Sequence, residues 1–448
     1  MLSVQDMAGV AAGKLAFKLA RRRGSAGSVM PGHLAQKISP HLLETLAQDM
    51  EVYLVTGTNG KGSTIAFLSV ADNLGQERCI CNVLHSNMLN GMVTSFVMES
   101  GAFEKSPKKI AFLECDENSL PIVLRKIKPT GILVNNLFLD QADRYRGVEQ
   151  LMGLLRASIQ TVPDAVLFLN ADDPRVVSLA ESLPNERRWF GSDVALSGCA
   201  EYDGTSCPRC GTALEYGLHT LGHLGHWHCP TCGFARPEPE SRIAAFRYAS
   251  YLECDVSSPT GSRTYRVAYG QSALLHNVLA AHVLWRAVGG DPDELAMGIV
   301  AHSLKEARRH TTVVRGCTVH REMVKNAIGA NVAIDRFVDS DIQATLLLGL
   351  GRKVVDSSDP SWIWNVEFER LAACAQRIPR IYVLGTASNA LVSRLVCAGI
   401  PRDKIVPLAR VGELRTVCDQ ERELYSFCSG SVTSAVAQTV ALMCKEEA

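Results

Sequence analysis

Two sets of residues in this 448-residue chain have the types and the spacing to do chemistry. The first is Thr56-Gly57-Thr58-Asn59-Gly60-Lys61-Gly62-Ser63-Thr64, directly after the apolar run 52–55. Its glycines let backbone N–H groups converge on phosphate oxygens, and a helix expected from about Thr64 adds the positive end of its dipole. Lys61 supplies a point charge for β- and γ-phosphates, while Ser63 or Thr64 offers a hydroxyl toward phosphate or Mg²⁺. Gly62 stands where the common P-loop has Ser or Thr, so this is a variant loop. The second set is Cys207, Cys210, Cys229 and Cys232, in knuckles CPRCG and CPTCG with eighteen residues between the pairs. The spacing is that of a tetrahedral four-cysteine zinc site. Four thiolates fill the coordination sphere, which makes the metal structural and leaves His223, His226 and His228 as bystanders. Two redox-active CxxC pairs are the competing account, and the matched Gly-terminated knuckles speak against it.

Other groups follow apolar runs. Glu114-Cys115-Asp116-Glu117 comes after 110–113, which puts its carboxylates at the C-terminal edge of a sheet, where open α/β proteins hold ligands. Glu114 is the Mg²⁺ candidate; a solvated acidic turn is the plainer alternative. Asn170-Ala171-Asp172-Asp173-Pro174 ends another run, and an Asn amide has the donor and acceptor to pair with an adenine edge. Ordinary strand-to-helix turns favour the same residue types. The segment 136–145 reaches the same edge. Asp359-Pro360-Ser361-Trp362-Ile363-Trp364 sets two of the five tryptophans beside an acid, either as an interface anchor or as a plug under a loop.

Regular elements must position these groups. Apolar runs at 52–55, 110–113, 131–135 and 165–169 read as buried strands, with helical patterns at 120–127 and 148–160 between them. Such alternation implies a parallel sheet covered on both faces. The rhythm breaks after Phe190-Gly191 into a Gly-, Cys- and His-rich stretch reaching about Pro239. Alternation returns at 242–267, an apolar helix follows at 274–288, and a second α/β unit begins near Thr311 with strands at 344–348, 380–384 and 424–427. At the start, Val4, Met7, Ala11, Leu15 and Leu19 share one face of an amphipathic helix, with Lys14, Lys18, Arg21, Arg22 and Arg23 toward its end. That helix either rests on an anionic membrane surface or packs on the body.

The totals bound the rest. The length implies two or three domains, and 47% hydrophobic residues is the content of a packed globular chain. Lys plus Arg and Asp plus Glu number 46 each, and the cysteine block is itself poor in Lys and Arg, which argues against nucleic acid. Fifteen cysteines, zinc-type spacing and no secretory signal favour a reducing interior, and no apolar run approaches the length of a bilayer span.

Together these pieces resemble the Mur ligase superfamily. TGTNGKGST is similar to its ATP loop, which folylpolyglutamate synthases share, and NADDP to its adenine-side motif. The four-cysteine block narrows the likeness to the MurT family. So do NNLFLDQADRY, YGLHTLGHLGHWHCPTCGF, HNVLAAHVL, VKNAIGAN and DPSWIWNVEFE, spread nearly end to end. The resemblance implies an α/β fold: an N-terminal entry segment over 1–50, a Mur ligase-type central P-loop domain with a parallel-rich sheet over 51–308, a zinc ribbon inserted at 200–238, and a C-terminal α/β domain over 309–448. It implies ATP held by Gly57, Thr58, Asn59, Gly60, Lys61, Gly62, Ser63, Thr64, Asn170 and Asp173, with Mg²⁺ at Glu114, structural Zn²⁺ at the cysteines and Lys61 in a catalytic role.

The implied activity is the synthetase half of a glutamine-hydrolysing amidotransferase. ATP phosphorylates the D-glutamate α-carboxyl of lipid II, and ammonia from a GatD-like glutaminase, whose triad Asp359 completes in trans, displaces the phosphate. The implied location is cytoplasmic and peripheral to the membrane face. The chain departs from the family pattern at Gly351-Arg352, at 306–310, in VKNAIGAN, which lacks a proline, and at Ser272 to Leu275. Two alternatives are an amino-acid ligase of Mur or folylpolyglutamate type and a non-catalytic ATP-binding paralogue. The zinc block and the tryptophan segment weigh against the first, and the altered C-terminal motifs favour the second.

Overall fold

The computed structural model describes residues 2–23, 27–75, 77–83, 87–101, 103–138, 148–196, 206–248, 251–268, 272–340, 342–353, 356 and 359–447. Most of the 136–145 segment, together with Ser357 and Ser358, lies outside the described residues.

Parallel strands β1 (Glu51–Thr56), β2 (Cys79–Cys81), β3 (Ile110–Glu114), β4 (Gly131–Val134), β5 (Val166–Asn170) and β6 (Arg187–Ser192) come first, and β7 (Glu215–Leu221) and β8 (Leu224–His228) form a separate hairpin. The chain then returns to the first sheet with β9 (Ser241–Tyr248), β10 (Leu252–Ser258) and β11 (Gly261–Val267). The order is β11-β10-β9-β6-β5-β4-β1-β3-β2, parallel from β2 through β9 and antiparallel across the last meander. A second sheet contains β12 (Thr311–Val314), β13 (Cys317–Met323), β14 (Thr345–Gly349), β15 (Ile381–Leu384), β16 (Ile405–Pro407) and β17 (Glu423–Cys428). Its order is β12-β13-β17-β14-β15-β16, parallel except for the β12–β13 edge pair.

β1 shows why the apolar runs become central strands. Val52 and Leu54 enter the core beneath the helices Leu89–Glu99 and Val148–Ile159. Tyr53 and Val55 face the opposite core under the helices Lys61–Leu74 and Leu274–Ala287. With both faces covered, a strand must be apolar at every position, and each buried Val or Leu side chain contributes about 1.5–3 kcal/mol. The helix after the loop begins at Lys61, three residues before the expected start, because Gly60 sits at φ +87 and turns the chain straight into it. Lys61, Gly62 and Ser63 therefore occupy its first turn, where backbone N–H groups have no intrahelical acceptor.

The helix Val4–Arg22 packs by a face other than the one its larger apolar residues mark. Gly9, Val10, Gly13, Ala16 and Ala20 are buried, while Val4, Leu15 and Leu19 point outward. The small residues permit close approach: a Cβ on Gly9 would come 3.1 Å from the Ala35 carbonyl oxygen, and one on Gly13 would come 2.9 Å from Val97 Cγ1.

Candidate functional site

The loop after β1 is held rigid by the turn after β4. Thr58 N–H donates to the Asn136 carbonyl (2.8 Å), Asn59 N–H to Asn136 Oδ1 (2.8 Å), and Asn135 Nδ2 to the Asn59 carbonyl (2.9 Å). Two glycines are required sterically. A Cβ at Gly57, φ +118, would lie 2.8 Å from the Asn136 oxygen, and one at Gly60 would lie 1.9 Å from Asn277 Oδ1. Asn277, on the helix Leu274–Ala287, also accepts from Asn135 Nδ2 at 3.1 Å. The polar His-Asn pair opening this apolar helix is the sequence signal for it.

Lys61 is buried and folded back on its own loop. Its Nζ donates to the Gly57 and Thr58 carbonyls and, at 2.8 Å, to Glu117 Oε1. Burial by itself would lower the ammonium's pKa, but Glu117, with Glu114 and Asp116 behind it, more than compensates and raises it. Glu117 lay in the acidic turn noted above but was passed over for Glu114. Glu114 is also buried, with Oε2 3.3 Å from a Cβ built on Gly62. Asn82 fixes its backbone, accepting from its N–H at 2.7 Å and donating to its carbonyl at 2.9 Å, whereas its carboxylate has, among the described residues, only a long contact from Asn87 Nδ2, at 3.4 Å. A buried, lightly bonded carboxylate across from a glycine in the loop suits a hard cation.

At the turn expected to face adenine, Asn170 is fully buried, its Nδ2 donating to the Asn135 carbonyl and its Oδ1 accepting from Asp172 N–H. Asp173 caps the helix Pro174–Ala180 through Arg175 N–H, accepts from Leu137 N–H at 2.7 Å and pairs with His223 Nε2 at 3.2 Å. Burial alone would raise its carboxyl; His223, Arg175 and these N–H groups outweigh that and hold it below the usual value. Asp172 bonds Arg236 at 2.8 Å and Ser192 N–H at 2.8 Å, yet full burial pushes its carboxyl up to about 6.

The cysteine block therefore touches the site. His223, expected to be a bystander, sits on the β7–β8 hairpin between Asp173 and the Phe138 ring, with ring centroids 4.6 Å apart. Gly225 N–H and Trp227 Nε1 both donate to the Asp172 carbonyl, at 2.9 and 3.1 Å. Leu221 and Leu224 pack with Phe138, Ile328 and Val332, joining the hairpin to the second sheet's first helix. Behind the hairpin, the Sγ atoms of Cys207, Cys210, Cys229 and Cys232 all lie within 4.8 Å of one another, with Cys207–Cys232 at 3.6 Å and Cys210–Cys229 at 3.5 Å. A tetrahedral thiolate shell at zinc–sulfur distances has edges of about 3.8 Å, so the cluster fits one such ion. Gly211 and Gly233 take φ +77 and +69 in the two knuckles, as tight turns there demand.

The second sheet reaches back to the loop: Asn326 Nδ2 donates to Asn59 Oδ1 at 3.1 Å. Asp359 stands apart, half-exposed, capping the turn Pro360–Asn365 through Ser361 N–H (2.9 Å) and Ser361 Oγ (2.8 Å). The turn's two tryptophan rings differ in burial. Trp362 is half-buried against the core of the second sheet, and Trp364 is exposed with the Arg394 guanidinium 5.7 Å from its ring.

The sheet order, the glycine loop after its first strand and the appended second sheet are those of a Mur ligase-type fold. A pseudomurein peptide ligase type C from Methanothermus fervidus has the same fold, with TM-score 0.67 at 16% identity over 93% of this chain and 84% of that one. So does a Mycobacterium tuberculosis folylpolyglutamate synthase solved with ADP and AMPPCP, with TM-score 0.58 at 13% identity over 89% and 92%. Within that class the chain is MurT-like: residues 323–428 match the family model for the MurT ligase C-terminal region. It is also 28% identical, over 94% of this chain and 93% of the relative, to the MurT subunit of the glutamine-hydrolysing lipid II isoglutaminyl synthase of Streptococcus pneumoniae.

Proposed function

We propose that this chain is the synthetase subunit of a glutamine-hydrolysing amidotransferase that converts the D-glutamate α-carboxyl of lipid II into the amide of D-isoglutamine. The observation that carries the reading is the union, in one chain, of the glycine loop closed around Lys61 with a MurT-type C-terminal region that bonds to that loop. ATP would lie along Gly57 to Thr64, its adenine toward the turn held by Asn170 and Asp173. Glu114 would hold Mg²⁺, which screens phosphate charge when bound. The α-carboxylate oxygen attacks the γ-phosphorus, ADP leaves, and the carboxyl becomes an acyl phosphate. Ammonia then attacks the acyl carbon, inorganic phosphate leaves with the bonding pair, and a proton is lost from nitrogen. Lys61 and the loop N–H groups stabilise charge through phosphoryl transfer, where positioning and electrostatics supply most of the rate.

Ammonia would come from a GatD-like glutaminase, and Asp359, partly exposed, would orient that partner's catalytic histidine. Zn²⁺ on the four cysteines would fix the hairpin that bears His223. The lipid-linked substrate places the enzyme in the cytoplasm at the membrane face; no helix among the described residues is long and apolar enough to cross a membrane. The test is reconstitution with the glutaminase, glutamine, ATP and lipid II. Amide formation lost in Lys61→Ala, and glutamine hydrolysis lost in Asp359→Asn, are the expected results; glutamine hydrolysis unchanged in Asp359→Asn removes that residue from the triad.

A further inference from the structure

The helix Val4–Arg22 is apolar on two opposite sides. Its inner side, Gly9, Gly13, Ala16 and Ala20 with Val10, is buried, largely against the helix Met30–Ile38. At 100° per residue, Val4, Ala8, Ala11, Leu15 and Leu19 fall on the side diametrically opposite. All five are exposed, Val4 at 79%, Leu15 at 60% and Leu19 at 43%. The stripe runs for about 22 Å along the helix. Large apolar side chains in a continuous exposed row mark a surface that is covered in use.

The charge around this stripe selects what covers it. Lys18, Arg21, Arg22 and Arg23 are exposed, with Lys18 and Arg22 on the stripe's own side, and Arg21 stands 6.0 Å over the Phe17 ring. The helix has a single acidic residue, Asp6, and it is buried on the inner side, bonded to Ser3 and Ser39. The neighbouring helix adds exposed His33 and Lys37 and has no acid. A protein partner with mixed charge would be met by one sign only; a surface with apolar depth and a uniformly negative face matches both parts. We propose that this helix lies in the plane of an anionic lipid bilayer, with Val4, Leu15 and Leu19 entering the headgroup–acyl boundary and Lys18 and Arg21 to Arg23 against lipid phosphates. Docking of this kind holds the chain at the surface where a lipid-linked substrate resides, but it does not depend on the amidation reading, because vesicle binding is measured without ATP, glutamine or substrate.

The experiment is flotation of the full chain, bound to its glutaminase partner, with vesicles of mixed phosphatidylglycerol and phosphatidylcholine or of phosphatidylcholine alone. The expected result is partition onto the anionic vesicles that weakens with salt. It should fall roughly a hundredfold in the triple variant Arg21→Gln, Arg22→Gln, Arg23→Gln, and at least about tenfold in Leu15→Ser, Leu19→Ser. These side chains are exposed, so unchanged thermal unfolding checks that each variant is folded. Equal binding to both vesicle types, binding unaffected by either variant, or loss of glutaminase binding or of self-association in the leucine variant in place of lipid binding would each overturn the proposal.

Discussion

Lys61 follows β1 of the first sheet and Asp359 follows β14 of the second, yet the two charges live under opposite conditions. Lys61 is 8% exposed and bonded to two carbonyls and Glu117, within a loop pinned by Asn135, Asn136, Asn277 and Asn326. Asp359 is half-exposed, and both its oxygens accept from one neighbouring serine. The first is a site finished within the chain, where the fold fixes the geometry and carries the cost of buried charge. The second, in the proposed complex, would be half of a site: a partly exposed carboxylate braced by its own turn. Substitutions at the two positions should therefore separate stability from activity.

The largest effect is expected at the open site. Asp359→Asn should lower glutamine hydrolysis by the partner on the order of 10⁴-fold, because an amide cannot hold the histidine in the required tautomer. Unfolding free energy should move by less than about 1 kcal/mol, since Asn caps a turn as well as Asp does. At the closed site, Lys61→Ala should lower ATP-dependent turnover by about 10²–10³. It should also cost about 3–5 kcal/mol of stability, because Glu117 is left buried without its cation. Urea unfolding distinguishes the two, and a Lys61→Ala, Glu117→Ala double variant should recover part of the stability and none of the turnover. An Asp359 variant as unstable as the Lys61 variant would break the contrast.

The pH dependence sharpens it, because the first sheet's core holds the titrating groups. Burial, aided by Arg236 and Arg286 respectively, lowers His276 and His282 to about 4 from 6.5. Each binds a proton less readily folded than unfolded, so its contribution is present above 6.5 and is lost as pH falls toward 4, about 3 kcal/mol each. Asp172, raised to about 6 from 3.8, acts oppositely over nearly the same window and offsets about 2–3 kcal/mol. Denaturant unfolding should show a net loss of about 3–4 kcal/mol between pH 7 and pH 4. His276→Leu should flatten that slope by removing one of these titrations, at little cost in contacts, since neither ring nitrogen has a hydrogen-bond partner among the described residues.

A smaller effect belongs to the hairpin. Chelation of the four-cysteine site, or His223→Phe, should raise KM for ATP several-fold with a lesser change in kcat, because Asp172 and Asp173 lose partners that hold the adenine-side turn. A KM unmoved by chelation would return the ribbon to a purely local role.

What the sequence disclosed follows from range. β1, β3, β4 and β5 were legible because strands buried on both faces are continuous apolar runs, and the knuckles because the cysteines of each pair stand only three positions apart. His223 was not, since its partner Asp173 lies fifty residues away and no local pattern pairs them. Glu117 was overlooked for a related reason: only the fold shows which of two carboxylates, three residues apart, turns toward Lys61. The first helix left its buried side open. Hydrophobicity marks Leu15 and Leu19 as the buried side, whereas close helix packing chose Gly9, Gly13 and Ala16, which have almost no side chain to advertise.

Asn326 connects the two halves of the comparison. It bonds Asn59 in the loop and caps the helix Ala327–Asp339 through Gly329 N–H. About a turn and a half along that helix, Asn331 accepts from Glu367 N–H at 2.8 Å and donates to the Asn365 carbonyl at 3.3 Å, at the end of the tryptophan turn that Asp359 begins. Asn59, Asn326 and Asn331, with one stiff piece of helix, thus link the glycine loop to the turn that Asp359 begins. In the proposed amidotransferase, a shift of Asn59 on nucleotide binding would be passed along these contacts to the turn that Asp359 begins, so that glutamine would be spent only when an acyl phosphate is ready for its ammonia. Asn326→Ala should leave basal glutamine hydrolysis in place and abolish its stimulation by ATP; stimulation that survives would show that the signal travels elsewhere.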